Sequence, residues 1–172
     1  MIAPPLFPDL APPPAPAAHR GLEFERLVDG QIGGYRAQGW LCLRQYVPSI
    51  VVGDGSMARV IGRAAPDWLL TRHGVTVVAE LKSTETTRWS LADLADHQAS
   101  WLDNAAGAGA SSGVLLQLGD GAVWWLPWHE LRPVWVRWRR GEAARGEASL
   151  DAAALTRLGE RTDHDWLAVA GR

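Results

Sequence analysis

The chain has 172 residues, a formal net charge of −2 and 47% apolar residues. This length suits one domain with a proper core, and the composition excludes a fully disordered protein. No stretch approaches the roughly 18–20 uncharged apolar residues of a membrane span, which excludes an integral membrane protein. The single cysteine, Cys42, excludes an intramolecular disulfide and a cysteine-based zinc cluster. Because the N-terminus has neither a basic nor an apolar leader region, we expect an intracellular, cytoplasmic protein.

The first third of the chain divides into an arm, a helix and a strand. Residues 1–18 hold seven of the eleven prolines, which predicts a flexible or polyproline-like arm. The apolar spacing predicts a helix from residue 21 to about 38, whose face includes Leu22, Val28, Ile32 and Tyr35. Alternation predicts a strand at 41–47, and the weak pattern of 48–66 indicates a loop.

The rest of the chain predicts a mixed arrangement of strands and helices. In order, we expect two strands joined at His73-Gly74, a helix from Ser90 to about Asn104, a hairpin across Gly119-Asp120-Gly121, a strand at 134–139 and a short helix at 150–158. This order predicts an α/β sandwich, a mixed sheet flanked by helices. We divide the chain into an arm (1–18), a domain (19–140) and a C-terminal extension (141–172) that is partly helical.

Two carboxylates face each other in the predicted hairpin. With a two-residue turn at His73-Gly74, Asp67 lies opposite Glu80, with Cβ atoms about 4.5–5.5 Å apart. Like charges at this distance are destabilising, and a divalent cation such as Mg²⁺ is a natural way to offset them. The other interpretation is a solvated face on which Lys82 pairs with one of the acids. Lys82 is the only lysine beside sixteen arginines, and it shares a face with Glu80.

Two predicted helices each place a polar group on an apolar face. Glu25 lies between Leu22 and Val28 on the helical wheel, where it either extends to solvent or enters a functional cleft. Gln98 is central among apolar residues of the next helix, where its amide bonds the backbone or points into the same cleft.

These residues resemble a known nuclease signature. Pro66-Asp67, a spacer of twelve residues and Glu80-Leu81-Lys82 are similar to the motif of the PD-(D/E)XK nuclease superfamily, and the helices with Glu25 and Gln98 fit its order. More narrowly, about residues 20–131 resemble the RecU family of Holliday junction resolvases. The matching segments are Arg20-Gly21 with Glu25, Ala65-Pro66-Asp67-Trp68, 80–84, Ser90-Leu91, His97-Gln98, 113–116 and 123–126.

The resemblance implies a restriction-endonuclease-like fold and a role for each residue. Asp67, Glu80 and the Leu81 carbonyl would hold Mg²⁺ or Mn²⁺, with Glu25 binding directly or through water. Lys82 would orient the attacking water or stabilise the transition state, and Gln98 would position water or phosphate. The implied substrate is a four-way DNA junction, and two symmetric nicks imply a homodimer.

A DNA surface is expected near the basic residues of the chain. Arg20 belongs to the resemblance, Arg59 and Arg63 precede the hairpin, and Thr84 extends its second strand. In a strand at 134–139, Arg137 and Arg139 would share one face for the phosphate backbone, or guard a sheet edge. Two alternatives stay open: a related nuclease acting on duplex or flap DNA, and a non-catalytic DNA-binding recombination protein.

Overall fold

A six-stranded mixed sheet forms the centre of the molecule. The computed structural model describes residues 17–45, 49–52, 57–60, 66–143, 146–162 and 165–172, and for 17–20, 49–52 and 57–60 the backbone alone. The strands are β1 (Leu41–Arg44), β4 (Trp68–Arg72), β5 (Val75–Ser83), β7 (Ser111–Gln117), β8 (Val123–Pro127) and β10 (Glu160–Thr162). They lie in the order β1-β4-β5-β7-β8-β10. The β5–β7 pair is parallel and the other neighbours are antiparallel.

Helices cover both faces of this sheet. On one face lie α1 (Ala17–Ala37) and α5 (Trp166–Ala170), and on the other lie α2 (Asp96–Gly107), α3 (Trp128–Arg139) and α4 (Ala152–Leu158). Two small sheets complete the fold: β2 (Ser49–Val52) with β3 (Met57–Val60), and β6 (Arg88–Ser90) with β9 (Ser149–Asp151). The predicted fold class, a mixed sheet flanked by helices, is confirmed.

The central strand β5 is buried on both faces. Val77, Ala79 and Leu81 pack in the core beneath α1, while Val78 packs in the core beneath α2. Alternating side chains of a strand leave opposite faces, so Glu80 points to the α2 side. A strand covered by helices on both sides carries a nearly continuous apolar sequence. Among the buried residues of β5, Val77–Leu81, Glu80 is the one polar residue.

The β4–β5 hairpin has the predicted turn and register. His73 and Gly74 have φ values of +48° and +82°, and positive φ at both central residues is the requirement of a type I′ turn. Arg72 pairs with Val75 and Trp68 with Ala79. Asp67 directly precedes the paired residues of β4, and the same register places it opposite Glu80.

The predicted strand at 134–139 is wrong, because these residues lie in α3. Trp128 and Leu131 are buried against the sheet, and the Trp135 indole N–H donates to the Leu94 carbonyl oxygen at 3.3 Å. Pro133 lies inside the helix. These tertiary contacts outweigh the strand preference of a sequence rich in valine and tryptophan.

Three other predictions need correction. Leu22 does not join the buried face of α1, because its side chain is 45% exposed and Phe24 is buried instead. Ser90 caps a short 3-10 helix, Leu91–Asp93, and α2 itself begins at Asp96. Residues 48–66, expected to be a loop, contain β2 and β3 in their described part.

The last part of the chain joins the main fold. Strand β10 pairs with β8 at the sheet edge, and Trp166 of α5 is 2% exposed. The described residues 17–18 continue α1, whereas residues 1–16 lie outside the described part. The division into arm, domain and extension stays a prediction. None of the helices in the described ranges combines the length and apolarity needed to cross a membrane.

Candidate active site

Four of the predicted site residues meet where β4 begins and β5 ends. The Asp67 carboxylate oxygen Oδ2 accepts the backbone N–H of Leu81 at 2.7 Å. The Lys82 ammonium lies 3.1 Å from Glu80 Oε1 and donates to Gln98 Oε1 at 2.9 Å. The Gln98 amide nitrogen in turn donates to Glu80 Oε1. We call Asp67, Glu80, Lys82 and Gln98 the sheet-end cluster.

Glu80 is the most deeply buried charged group of the sheet-end cluster. The residue is 3% exposed. Burial, followed by the negative charge of Asp67, raises the pKa of the Glu80 carboxyl to about 7, while Lys82 and the Gln98 hydrogen bond oppose this rise. The protein therefore places too little positive charge around the Glu80 carboxylate, and a further positive charge would stabilise the ionised form.

Asp67 has a related environment. Burial raises the pKa of the Asp67 carboxyl above its usual value, against the Leu81 N–H and the Lys82 charge. The charge of Glu25 adds to the rise, and that of Arg44 opposes it. Two neighbouring carboxyl groups thus both have raised pKa values, which is a common property of functional sites.

Glu25 reaches the edge of the cluster from α1. Its carboxylate accepts a hydrogen bond from Arg44 of β1, and a second nitrogen of the same guanidinium bonds Asp29 one turn further along α1. The Glu25 side chain is 34% exposed. Its predicted place within an apolar stripe is wrong, because Phe24 and Val28 form the buried face and Glu25 lies beside it.

Arg44 is the residue that the sequence analysis missed. It binds Glu25 and Asp29 of α1, and its guanidinium carbon lies 6.0 Å from the centre of the Trp68 ring. In β1 it is paired with Trp68, next to Asp67. The sequence signal that could have identified Arg44 is a charged residue directly after the apolar run Leu41-Cys42-Leu43.

The chemistry of the donors fits a hard divalent cation. Asp67 Oδ1 and Glu80 Oε2 make no hydrogen bond with any part of the chain that the structure describes. An N–H and a C=O of one strand residue point to the same side, so the Leu81 carbonyl faces Asp67 as its N–H does. Within the described ranges, no group of three or more His, Cys, Asp or Glu side chains could hold a metal. Mg²⁺ suits this set, because it is commonly bound through one or two carboxylates and keeps several waters.

The residues predicted to bind DNA lie in several places. Thr84 is in the turn after β5, where its hydroxyl donates to the Arg88 carbonyl oxygen at 3.4 Å. The prediction that Arg137 and Arg139 share one face is wrong. Both lie in α3, and helical residues separated by two positions point in different directions. Arg139 binds Asp96 at 2.7 Å and lies against the rings of Trp135 and Trp138. The side chains of Arg20 and Arg59, and all of Arg63, lie outside the described residues.

A comparison with solved structures places this architecture among known folds. The chain is similar to Hjc, a Holliday junction resolvase from the archaeal hyperthermophile Archaeoglobus fulgidus, with 21% identity and a TM-score of 0.50. The likeness covers 87% of this chain and 99% of that one. Protein-family models and curated proteins gave no match to this chain. Together with the six-stranded mixed sheet and its flanking helices, the likeness shows that the chain has the restriction-endonuclease-like fold of Hjc.

Proposed function

We propose that the protein is a cytoplasmic, homodimeric, metal-dependent endodeoxyribonuclease that resolves four-way DNA junctions by paired nicks. The observation that carries this proposal is the pair of buried Glu80 and half-buried Asp67, beside Lys82, at the end of β5. Both carboxyl pKa values are raised, and each carboxylate has one oxygen without a hydrogen bond to the described chain. The fold and this donor set together support phosphodiester hydrolysis.

Asp67, Glu80 and the Leu81 carbonyl are the proposed metal-binding groups, with Glu25 at the edge. When bound, Mg²⁺ or Mn²⁺ lowers the pKa of a coordinated water and neutralises charge on the scissile phosphate. The Leu81 N–H donates a hydrogen bond to the Asp67 carboxylate and holds it in place. Arg44 holds Glu25 at the rim and balances its charge.

Lys82 and Gln98 are proposed to act on the phosphate and the attacking water. An ammonium group has three N–H donors, and Lys82 uses two of them on Glu80 and Gln98. The third has no acceptor among the described residues and can stabilise negative charge developing in the transition state. Gln98 also accepts the Ala95 N–H at 3.0 Å, so the start of α2 fixes its position.

The choice of a four-way junction over other DNA rests on two supports. The sequence motifs resemble a resolvase family, and the structural neighbour Hjc is a Holliday junction resolvase. The neighbour is an archaeal Hjc and not a RecU protein, so the likeness supports a junction nuclease and the RecU subtype rests on the motifs alone.

The proposed dimer would use an apolar face of the sheet. Leu41, Leu43 and Trp101 are 56%, 44% and 46% exposed. Leu43 pairs with Leu69 and Leu41 with Thr71, so they share one face of the sheet. Beside them is a cavity of about 530 Å³, and none of its described lining residues is charged. DNA would not favour this surface, whereas a second copy related by a two-fold axis would.

The decisive experiment compares an immobile four-way junction with a duplex of matched sequence. Purified protein is incubated with each labelled DNA in Mg²⁺, Mn²⁺ or EDTA, and the cleavage sites are mapped on every strand. We expect paired, symmetric nicks on the junction alone, abolished by EDTA. Lys82→Ala should lower the cleavage rate by about 10²–10³-fold, the size expected for loss of one transition-state donor. Lys82→Arg keeps the charge and should restore little activity, since a planar guanidinium does not replace the ammonium.

Three other outcomes change the conclusion. Equal cutting of duplex and junction indicates a general nuclease of the superfamily. Junction binding with no cutting in either metal indicates a non-catalytic DNA-binding protein. Full activity of Lys82→Ala places the catalytic site elsewhere in the molecule.

A further inference from the structure

A second charged site lies outside the sheet-end cluster, in a cleft of about 340 Å³ between α3, α4 and the β6–β9 pair. We call it the arginine cleft. The charged residues lining it are Arg88, Arg137, Arg157, Glu147 and Asp151. Three arginines against two acids leave a formal charge of +1. We propose that the arginine cleft binds a backbone phosphate of the DNA substrate, in addition to the phosphate at the catalytic centre; this inference rests on the proposed function.

Arg88 is the fixed part of the cleft. Its guanidinium donates to the Ser149 hydroxyl at 3.0 Å, to the Ser149 carbonyl oxygen at 2.9 Å and to the Gly146 carbonyl oxygen at 3.3 Å. It also forms a 2.9 Å ion pair with Asp151. These bonds use its donors inside the protein, so we assign Arg88 to the scaffold of the site.

Both carboxylate oxygens of Asp151 are hydrogen-bonded, and neither accepts a hydrogen bond from Arg137 or Arg157. Its Oδ1 accepts the Ala154 N–H at 2.9 Å, and its Oδ2 receives Arg88. The Ala154 hydrogen bond and the nearby charges of Arg88 and Arg157 hold the pKa of this carboxyl below its usual range. It therefore remains ionised and paired at neutral pH.

Arg137 and Arg157 are the groups available to a ligand. Both are exposed, and neither guanidinium group forms a hydrogen bond or an ion pair with any residue in the described ranges. Each guanidinium carries five N–H donors in a planar fork that matches phosphate oxygens. Two such groups, from α3 and from α4, line the same cleft and favour a single phosphodiester between them.

The arginine cleft is connected to the catalytic centre by the short segment between β5 and β6. Arg88 follows Lys82 by six residues, so their Cα atoms are at most about 20 Å apart. The intervening turn is held by the Thr86 hydroxyl, which donates to the Arg88 carbonyl oxygen at 2.6 Å. A strand of B-DNA has one phosphate per roughly 3.4 Å of axis. This distance corresponds to a separation on the order of six base pairs between the cleft phosphate and the cut.

The test measures how salt affects junction binding by the full chain. Fluorescence anisotropy in EDTA gives the association constant K at a series of salt concentrations. Each phosphate contact contributes about 0.9 to the slope of log K against log salt. The double variant Arg137→Gln with Arg157→Gln loses one phosphate contact, so its slope should be shallower than that of the wild type by about 0.9. The matched control removes two paired arginines, Arg132 and Arg172, in the same way and should keep the wild-type slope.

Two further measurements keep the outcome decisive. Replacing both cleft arginines by lysine keeps the charges and should restore most of the slope. A neutral methylphosphonate, moved along the strand, should weaken wild-type binding at one position away from the cut and leave the double variant unaffected there. An unchanged slope in a double variant that still binds and cuts junctions overturns the arginine cleft and leaves the proposed function intact. A wild-type protein that neither binds nor cuts junctions overturns both.

Discussion

Carboxylates in two regions of this molecule have opposite pKa shifts. In the sheet-end cluster, burial raises the pKa values of Asp67 and Glu80. Between α2 and α3, hydrogen bonds from Arg132 and the Trp128 indole hold the pKa of Asp103 below its usual range. Both regions tie a helix to neighbouring structure, and both contain a basic partner. The difference is that Asp103 is exposed and bonded by two strong donors. In the sheet-end cluster, Glu80 is buried and Asp67 half-buried, and each has a carboxylate oxygen without a donor among the described residues.

This contrast separates a structural carboxylate from one available for chemistry. Asp103 accepts the Trp128 N–H at 2.8 Å and the Arg132 Nε–H at 2.6 Å. Its charge is satisfied, and a metal would have to displace these bonds. In the sheet-end cluster, the incompletely compensated negative charge of the carboxylates destabilises the folded protein, and a bound cation would offset this destabilisation.

The largest expected effect is on cleavage. Asp67→Asn removes a proposed metal-binding charge without a change of volume, and we expect the junction cleavage rate in Mg²⁺ to fall by about a thousandfold. Asp103→Asn is the matched control and should cleave at the wild-type rate. Single-turnover rates at saturating enzyme measure both. Comparable losses in the two variants would show that the contrast between the regions does not mark the catalytic site.

A smaller effect should appear in the stability of the metal-free protein. The folded pKa of Glu80 is about 7, above the ordinary value of 4.5, so folding favours its protonated form. This stability is fully present below about pH 4.5 and is lost as the pH rises through 7. Glu80→Gln mimics the protonated group, so its advantage over the wild type should grow from near zero at pH 4.5 to on the order of 3 kcal/mol above pH 7.

Urea unfolding in EDTA across this pH range tests the Glu80 prediction. A pH-independent difference between wild type and Glu80→Gln would mean that Lys82 and Gln98 fully compensate the buried charge. That result would remove the energetic reason for cation binding at this site.

The smallest effect is expected for Asp103→Ala. Because the folded pKa of Asp103 is depressed, its contribution is present above the ordinary pKa of 3.8 and is lost as the pH falls below it. The side chain is 45% exposed, so solvent screening limits the ion pair. We expect the variant to lose about 1 kcal/mol of unfolding free energy at pH 7, including the unpaired indole N–H of Trp128. Thermal melts at pH 7 and pH 3 should show this loss shrinking at the lower pH.

The sheet-end cluster was predictable because its geometry is local. A two-residue turn determines which residues of a hairpin face each other, and strand alternation then places Lys82 with Glu80. The contacts of α2 were harder to predict, yet an amide among apolar residues identified Gln98. Arg44 was missed because its partners Glu25 and Asp29 lie on a different element, which no spacing along the chain connects to it.

The α3 region was mispredicted for the opposite reason. Its sequence alternates tryptophan, valine and arginine, which is typical of a strand, and it contains Pro133. The helix is stabilised by contacts far along the chain: Arg132 with Asp103, Trp135 with Leu94, and Arg139 with Asp96. Local preference is a weak guide where packing on distant elements decides the conformation.

The position of Trp166 has a consequence for the order of folding during synthesis. Its ring meets that of Tyr35 edge-on at 5.9 Å and lies 6.2 Å from that of Trp125, while the Leu167 N–H donates to the Tyr35 hydroxyl at 3.4 Å. Helix α1 is translated before every other described element, and α5 is translated after them. Strands β1, β4 and β5 can cover most of the apolar side of α1 early, but the part of this layer that Trp166 and Leu167 cover stays open until α5 has been translated.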